Sequence, residues 1–337
     1  MKELKKIIRN FANAKILVVG DLILDEYIWG SVERISPEAP VPVVWAKNNN
    51  YLPGGAANVA NNIRALGAEV CLVGVVGDDA HAKTLLSELK KKGVETKGIF
   101  VERGRRTTLK TRIIAGHQQV VRLDWEHVHN ICRDVKNKLL GYIYDNIREF
   151  DAVIIEDYGK GLLDRELTEE IIKEANSFKK IVTVDPKEDN FDCYFGATCI
   201  TPNRKETQNA IRYLRIKDTH NKFKIYKEEL FTDADIIEAG NAILEYLQLE
   251  SLLITLGEQG MRLFEKGRES RYIPTVAQEV FDVSGAGDTV IATFTVALCS
   301  GASKLQAAHI ANFAAGIVVG KIGTATASRK ELLAGLG

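Results

Sequence analysis

GGAANVANNIRALGAEVCLVGVVGDD, residues 54–79, holds two patterns in one short stretch. From Asn58 to Leu66 it reads as a helix. From Glu69 to Asp79 it reads as a buried strand, rich in β-branched residues and ending in Gly and Asp. The same strand pattern returns in KILVVGD (15–21), DAVIIED (151–157), KIVTVDP (180–186) and SLLITLG (251–257). Helical patterns fall between these runs, at Ala80 to Lys92, Asp164 to Phe178 and Asp233 to Leu247. Such alternation predicts an α/β fold with a central, mostly parallel sheet and helices on both faces. Ligands of open parallel sheets bind beyond the carboxyl ends of the strands. Those ends carry Asp21, Asp78, Asp157, Asp185 and Gly257. Val18, Val19, Ile154, Ile155, Val182, Val184, Leu253 and Ile254 are assigned to the core.

Two segments break the rhythm, at about 26–53 and 98–125. Both read as extended strands and turns and are expected to form a small β lid on a single domain spanning 1–337. Pro37, Pro40 and Pro42, with Val41 and Val43, suit an edge strand. A charged, aromatic stretch from Arg212 to Phe231 reads as a surface insertion. Lys+Arg and Asp+Glu balance at 45 each among 337 residues, so charge gives no argument for nucleic acid or a membrane surface. The apolar runs are too short for a membrane span. The N-terminus lacks a signal-peptide pattern and reads as a short helix entering a strand. Five cysteines without a CxxC fit buried free thiols in a reducing cytoplasm.

A second stretch, FDVSGAGDTVIA (281–292), raises a chemical question. Small residues sit between Asp282 and Asp288 just before an apolar helical run. A helix start presents unpaired N–H groups and partial positive charge. Glycines allow a phosphate to approach that backbone closely. Gly285, Ala286 and Gly287 would then stabilise charge on a transferred phosphoryl group, and Asp288 would take the proton of an attacking hydroxyl. The plainer alternative is an Asp-capped helix with a glycine turn. GIVVGK (316–321) is one residue short of a P-loop and lacks its Ser/Thr. Protein-kinase motifs and a GxGxxG after the first strand are absent.

The order of GD (20–21), GGAAN (54–58), TPNRKE (201–206), TLGEQG (255–260) and DVSGAGD (282–288) resembles that of the ribokinase-like (PfkB) sugar kinases. The resemblance covers nearly the whole chain and implies a ribokinase-like fold that uses ATP and Mg²⁺. RISPEAPVPVV (34–44), VVRLDWE (120–126), EDYGKGLL (156–163), VDPK (184–187) and GIVVGKIGTATAS (316–328) look like the kinase part of ADP-heptose synthesis enzymes. Those enzymes phosphorylate C1 of D-glycero-β-D-manno-heptose 7-phosphate. The chain ends soon after this pattern, so a stand-alone kinase is expected. A kinase for another sugar or nucleoside, or a catalytically silent sugar-binding regulator, is the alternative.

By this resemblance Asp288 is the base, with Gly285, Ala286 and Gly287 around the phosphoryl group. Asp21, Asp25, Gly54, Gly55 and Asn58 match sugar-binding positions, with a helix cap (Asn58) and a plain turn (Gly54–Gly55) as bland alternatives. Asn203 and Glu206 match an N-x-x-E pattern that organises magnesium through water; a helix cap is the alternative. Thr255, Gly257 and Gly260 would line ATP, and Asn312 would approach adenine or be an exposed helix residue. The substrate phosphate needs cations. Arg34 and Lys160 come first, with Lys187, Arg112 and Arg122 behind them; surface charge or salt bridging is the alternative. His127 and His129 form a loop pair without further metal ligands. The apolar Val41, Val43, Val44 and Trp45 suggest a homodimer through the lid.

Overall fold

The computed structural model describes residues 2–335 except 117, 221, 228, 277–279 and 322. Single positions of the second lid segment, of the 212–231 stretch and of residues 316–328 therefore lie outside the described residues. Helix α1 (Lys2–Arg9) leads into β1 (Lys15–Gly20), followed by the long hairpin β2 (Leu22–Ile35) and β3 (Pro42–Gly55). Then come α2 (Ala56–Ala65), β4 (Glu69–Gly77), α3 (Ala80–Lys91) and β5 (Glu95–Glu102). β6 (Thr108–Ala115) and β7 (Gln118–Trp125) make a second hairpin. The chain continues through α4 (Arg133–Asn146), β8 (Ala152–Glu156), α5 (Arg165–Ser177), β9 (Ile181–Asp185), β10 (Cys199–Ile200) and α6 (Arg204–Lys217). It closes with α7 (Asp233–Tyr246), β11 (Ser251–Thr255), β12 (Met261–Glu265), β13 (Arg271–Ile273), α8 (Ala286–Cys299), α9 (Lys304–Val319) and α10 (Arg329–Gly335).

Among the described residues the larger sheet has the order β13-β12-β11-β10-β9-β8-β1-β4-β5. The seven strands from β11 to β5 pair in parallel, and β12 runs antiparallel to both of its neighbours. Alternate residues of β1 enter two separate cores. Ile16 and Val18 pack with α2, α8 and α9, whereas Leu17 and Val19 pack with α4, α5 and α7. Burial on both faces is what the unbroken apolar runs in the sequence require. All eight residues assigned to the core are fully buried.

The smaller sheet has the order β3-β2-β6-β7. It begins where β1 ends, because β2 continues from β1 after Asp21. The second lid segment is shorter than expected. Residues 98–102 lie in β5, which pairs with β4 as an edge of the larger sheet, so the lid takes only β6 and β7 from this region. The proline-rich residues 37–41 form the turn of the first hairpin, and β3 starts at Pro42.

Two other expectations change. The 212–231 stretch is not wholly superficial: α6 runs to Lys217, and Phe223, Ile225 and Leu230 bury their side chains in the second core. Cys71, Cys193 and Cys199 are buried, but Cys132 is exposed and Cys299 is half-buried. No helix of the described residues is long and apolar enough to cross a membrane.

Candidate active site

The register of three parallel strands sets the floor of the site. Gly20, Glu156 and Asp185 are successive partners across β1, β8 and β9. Partners in register share a face of the sheet, so the two carboxylates point the same way. Gly20 makes room for them: a Cβ there would lie 2.3 Å from the Glu156 carbonyl oxygen and 2.6 Å from Glu156 Cβ.

Helix α8 brings a third carboxylate onto this floor. Its N-cap is Gly285, in the left-handed region at φ 77°. A Cβ at this position would lie 2.8 Å from Asn58 Nδ2, so both conformation and space require glycine. Asp288 follows in the first turn and is only 4% exposed. Asn58 Nδ2 donates to Asp288 Oδ2 at 2.6 Å, and the Tyr158 hydroxyl donates to Oδ1 at 3.1 Å. Asn58 is therefore not a cap, since α2 starts two residues earlier. Burial pushes the Asp288 carboxyl up to about 6, while the two side-chain hydrogen bonds oppose that rise. Asp282 is structural. It accepts hydrogen bonds from the Ser284 N–H (2.9 Å) and the Gly323 N–H (3.0 Å) and so shapes the loop before the helix. The Ala286 N–H donates to the Val283 carbonyl at 3.2 Å.

Carboxylate oxygens of Glu156, Asp185 and Asp288 lie within 4.8 Å of one another. Glu156 is fully buried; no N–H or hydroxyl of the described residues donates to its carboxyl oxygens, whose hydrogen-bonding neighbour is the Asp185 carboxyl. Burial, followed by the charges of Asp185 and Asp288, holds Glu156 well above the ordinary carboxylate range. Burial, then Glu206 and Asp288, does the same to Asp185. Crowded acids of this kind must hold protons or a cation. A buried Glu156 that meets only another carboxyl, and the all-oxygen donor set, fit a hard divalent cation. Spacing in the sequence could not reveal this trio. Asp185 was visible as a strand end, but Glu156 and Tyr158 were read only as parts of longer motifs.

Asn203 and Glu206 form a reciprocal cap at the start of α6. The Glu206 carboxylate accepts from the Asn203 N–H at 2.8 Å, and Asn203 Oδ1 accepts from the Glu206 N–H at 2.9 Å. Their helix-cap reading is thus realised. Glu206 nonetheless stands close enough to raise both Asp185 and Glu156 electrostatically. Thr255 bridges to Asn203 and donates its N–H to the Pro202 carbonyl at 2.9 Å. Gly257, at φ 61°, faces open space, whereas a Cβ on Gly260 would meet the Ile273 carbonyl oxygen at 2.2 Å. Gly260 is therefore needed by a turn. Asn312 is buried and donates to the Pro274 carbonyl at 2.7 Å, so it is not an exposed helix residue.

On the other side of the floor, Asp21 is committed to the loop after β8. Its carboxylate accepts the N–H groups of Tyr158 and Lys160 at 3.0 Å each and of Leu162 at 3.3 Å. Burial still holds it at about 6. Asp25 accepts from Arg112 Nη1 at 2.7 Å. Gly54 and Gly55 pack against these strands: Cβ atoms would lie 2.7 Å from Asp25 Oδ2 and 2.6 Å from the Asp21 carbonyl. Lys160 is paired with Glu126 at 2.8 Å, and the cavity beside it holds only about 20 Å³. Arg34 is exposed near the far end of the lid, roughly 40 Å of extended strand beyond Leu22, and does not join this cluster. His127 accepts the Arg106 N–H, and the His129 carbonyl accepts Arg105, so both belong to a structural loop.

The buried base has a stability consequence. An Asp at about 6 in the fold, against an ordinary value of 3.8, binds an extra proton between those pH values. Its ionisation therefore costs the folded state on the order of 3 kcal/mol above pH 6, and the cost vanishes as pH falls to the unfolded value. Asp288→Asn is expected to stabilise the protein at pH 7.5 by about 1–3 kcal/mol, with the gain shrinking toward pH 4. Urea unfolding of both proteins at the two pH values checks this; an equal difference at both would contradict it.

Comparison with known proteins identifies the family. Residues 13–331 match the pfkB family carbohydrate kinases. The chain is 46% identical over 318 residues to the bifunctional protein HldE of Helicobacter pylori strain J99, covering 94% of this chain and 65% of that protein. It is 45% identical over 326 residues to HldE of Desulfatibacillum aliphaticivorans, covering 97% and 64%. The chain thus spans just under two thirds of the length of these relatives. Arabidopsis thaliana ribokinase, complexed with ribose and ATP, superposes with a TM-score of 0.72 at 20% identity, covering 95% of this chain and 98% of that one. Escherichia coli phosphofructokinase-2 gives 0.74 at 18% identity, covering 96% and 99%. These two show the ribokinase-like fold. With the family match spanning nearly all of the chain, and an acid poised beside a helix start at the strand ends, the protein belongs to the pfkB family and is a carbohydrate kinase.

Proposed function

We propose that the chain transfers the γ-phosphoryl group of ATP to the C1 hydroxyl of D-glycero-β-D-manno-heptose 7-phosphate, giving the 1,7-bisphosphate used for ADP-heptose. One observation carries this reading beyond the family. The segment EDYGKGLL, one of those that resemble the heptose-type kinases, supplies Tyr158 to Asp288 and Glu156 to the carboxylate floor. Similarity to HldE over 318 residues supports it.

In this reading Asp288 accepts the proton of the C1 hydroxyl as that oxygen attacks phosphorus. Asn58 and Tyr158 hold the carboxylate so that both of its oxygens stay fixed. The start of α8, from Gly285 to Gly287, faces the charge that develops on the transferred group. Asn203, Thr255 and Gly257 stand on the nucleotide side, at the ends of β10 and β11. Mg²⁺ fits the oxygens of Glu156 and Asp185, with Glu206 nearby, and would neutralise phosphate charge there. Asp21 positions the loop that carries Tyr158, and Asp25 is the carboxylate left to face sugar hydroxyls. We place the activity in the cytoplasm, in keeping with five cysteines that form no disulfide.

A homodimer through the lid belongs to the same proposal. Ile35, Val41 and Trp45 are exposed on the first lid hairpin, Trp45 by 66%. Apolar edges of this kind are normally covered. Light scattering at micromolar concentration is expected to give twice the chain mass; a monomer mass would reject the dimer.

Turnover on a panel of heptose 7-phosphate, ribose, fructose 6-phosphate and adenosine, with and without Mg²⁺, tests the reaction. Mg²⁺-dependent turnover confined to heptose 7-phosphate is expected. Turnover on another member instead would discard the heptose assignment, and sugar binding without any turnover would favour a silent regulator. The pH profile tests the base. Asp288 must be ionised to act, so kcat/KM should fall as pH drops through about 6. Tyr158→Phe removes a hydrogen bond that stabilises the ionised form, so its acid limb should move to higher pH and kcat should drop roughly 10-fold or more. An unmoved limb would remove Tyr158 from the machinery.

A further inference from the structure

The even balance of charge over the whole chain conceals a local excess. Residues 212–231 carry six Lys or Arg against three Asp or Glu. They form the last turns of α6 and a strap that leads to α7. The strap is held against the body of the protein. Phe223, Ile225 and Leu230 enter the second core. The Asp218 carboxylate accepts the N–H groups of His220 and Phe223 at 3.2 and 2.5 Å. Arg215 Nη1 donates to the Tyr226 carbonyl at 3.2 Å, which ties the strap to the end of α6. Lys227 Nζ and the Phe231 N–H meet the Asp235 carboxylate at 2.6 and 3.2 Å, which ties it to the first turn of α7.

The side chains turned outward combine two chemistries. Ile216, Tyr226 and Phe231 are 74, 67 and 73% exposed. Ile216 breaks the pattern of α6, whose buried residues are Thr207, Ala210, Ile211 and Leu214. Lys217, Lys222 and Lys224 are exposed among these apolar groups. Of the lysines in this stretch only Lys227 meets a carboxylate among the described residues. Single exposed apolar residues are ordinary, but three of this size within one basic strap mark an interaction surface.

We propose that the strap is a peripheral docking surface for an anionic lipid bilayer. Ile216, Tyr226 and Phe231 enter the headgroup layer, and Lys217, Lys222 and Lys224 lie against lipid phosphates. Basic residues near an anionic leaflet and apolar rings at headgroup depth act together in this way. An acidic protein face is the weaker occupant. Lys is depleted from the cores of protein interfaces, whereas here lysines are interleaved with the apolar side chains. No helix of the described residues is long and apolar enough to cross a membrane, so the contact is a surface one. It does not draw on the reacting groups. Asn203 and Glu206 lie at the start of α6, and Ile216 lies in the last turn of that 14-residue helix, roughly 20 Å away.

Co-sedimentation of the full chain with vesicles tests this. Vesicles of phosphatidylcholine with phosphatidylglycerol should carry the protein down, and vesicles of phosphatidylcholine alone should not. Binding should weaken as salt rises. Tyr226→Ser combined with Phe231→Ser should lower affinity for the anionic vesicles about 10- to 100-fold. Lys222→Gln combined with Lys224→Gln should lower it about 10-fold and flatten the salt dependence. All four side chains are exposed, so both variants should keep the wild-type melting temperature. Wild-type protein that stays in solution beside anionic vesicles, or variants that bind as well as the wild type, overturns the proposal. A drop in oligomeric mass of the Tyr226/Phe231 variant by light scattering, with vesicle binding intact, assigns the strap to a protein interface and overturns it as well.

Discussion

The hydrogen bond from Asn58 to Asp288 joins two helices that enter the sheet from different parts of the chain. It closes at 2.6 Å because both helices begin with glycine. Gly55 precedes α2 at φ 55° and Gly285 precedes α8 at φ 77°. Each glycine turns the chain sharply enough to aim a helix start at the strand ends, and each lacks a Cβ that would strike its surroundings. Asp288 is thereby buried beside Glu156 and Asp185, where its ionisation is costly. A carboxylate that resists ionisation until about pH 6 binds a proton more readily than an ordinary Asp, which suits a group that must accept one. The stability given up at this point is the physical form of that readiness.

The same carboxylates explain why Asp21 is not simply another ligand. With Glu156 and Asp157 at the end of β8, the next five residues must turn away without leaving buried N–H groups unpaired. Asp21 accepts three of those N–H groups. Arg105, in a buried pair with Glu102, donates to the carbonyls of Lys160 and His129 and fastens the loop from its other side. Tyr158 therefore reaches Asp288 from a loop gripped at both ends. Such preorganisation fixes a catalytic group before substrate arrives, which is where the benefit of positioning lies.

Much of this was legible in the residues. The apolar strands, the main helices and the helix start at Asp288 follow from periodicity, glycine and capping chemistry, and all appear near their expected bounds. α4 falls outside the expected helices although Val135, Leu139 and Ile143 recur at helical spacing within it. The two-residue β10 left too little pattern to read. Glu156 was hidden by its neighbour, because two successive acids at a strand end give no hint which one turns inward. Only the register with Gly20 and Asp185 decides that. Lys160 and Arg34 suit phosphate by type, and type does not show that Lys160 also contacts Glu126 or that Arg34 lies far along a hairpin.

The lid shows how strand alternation turns a composition into two working surfaces. Residues 25 and 27 of β2 share a face with 110 and 112 of β6 and with 122 and 124 of β7. Their neighbours Glu26, Thr111, Leu123 and Trp125 fall on the opposite face, where Thr111 donates to Glu26 at 2.8 Å. A slip of one residue would exchange the faces and bring apolar side chains over the base. The irregularities of pairing are placed accordingly. Register shifts occur between Trp29 and Gly30, between Val32 and Arg34, and between Ile113 and Ile114, all beyond Tyr27 and Arg112. The part of the lid nearest the site keeps strict alternation, and the added twist that bulges bring is confined to its distal half. The exposed Ile35 and Trp45 lie in that irregular half, while the row of Asp25, Tyr27, Lys110 and Arg112 keeps its register.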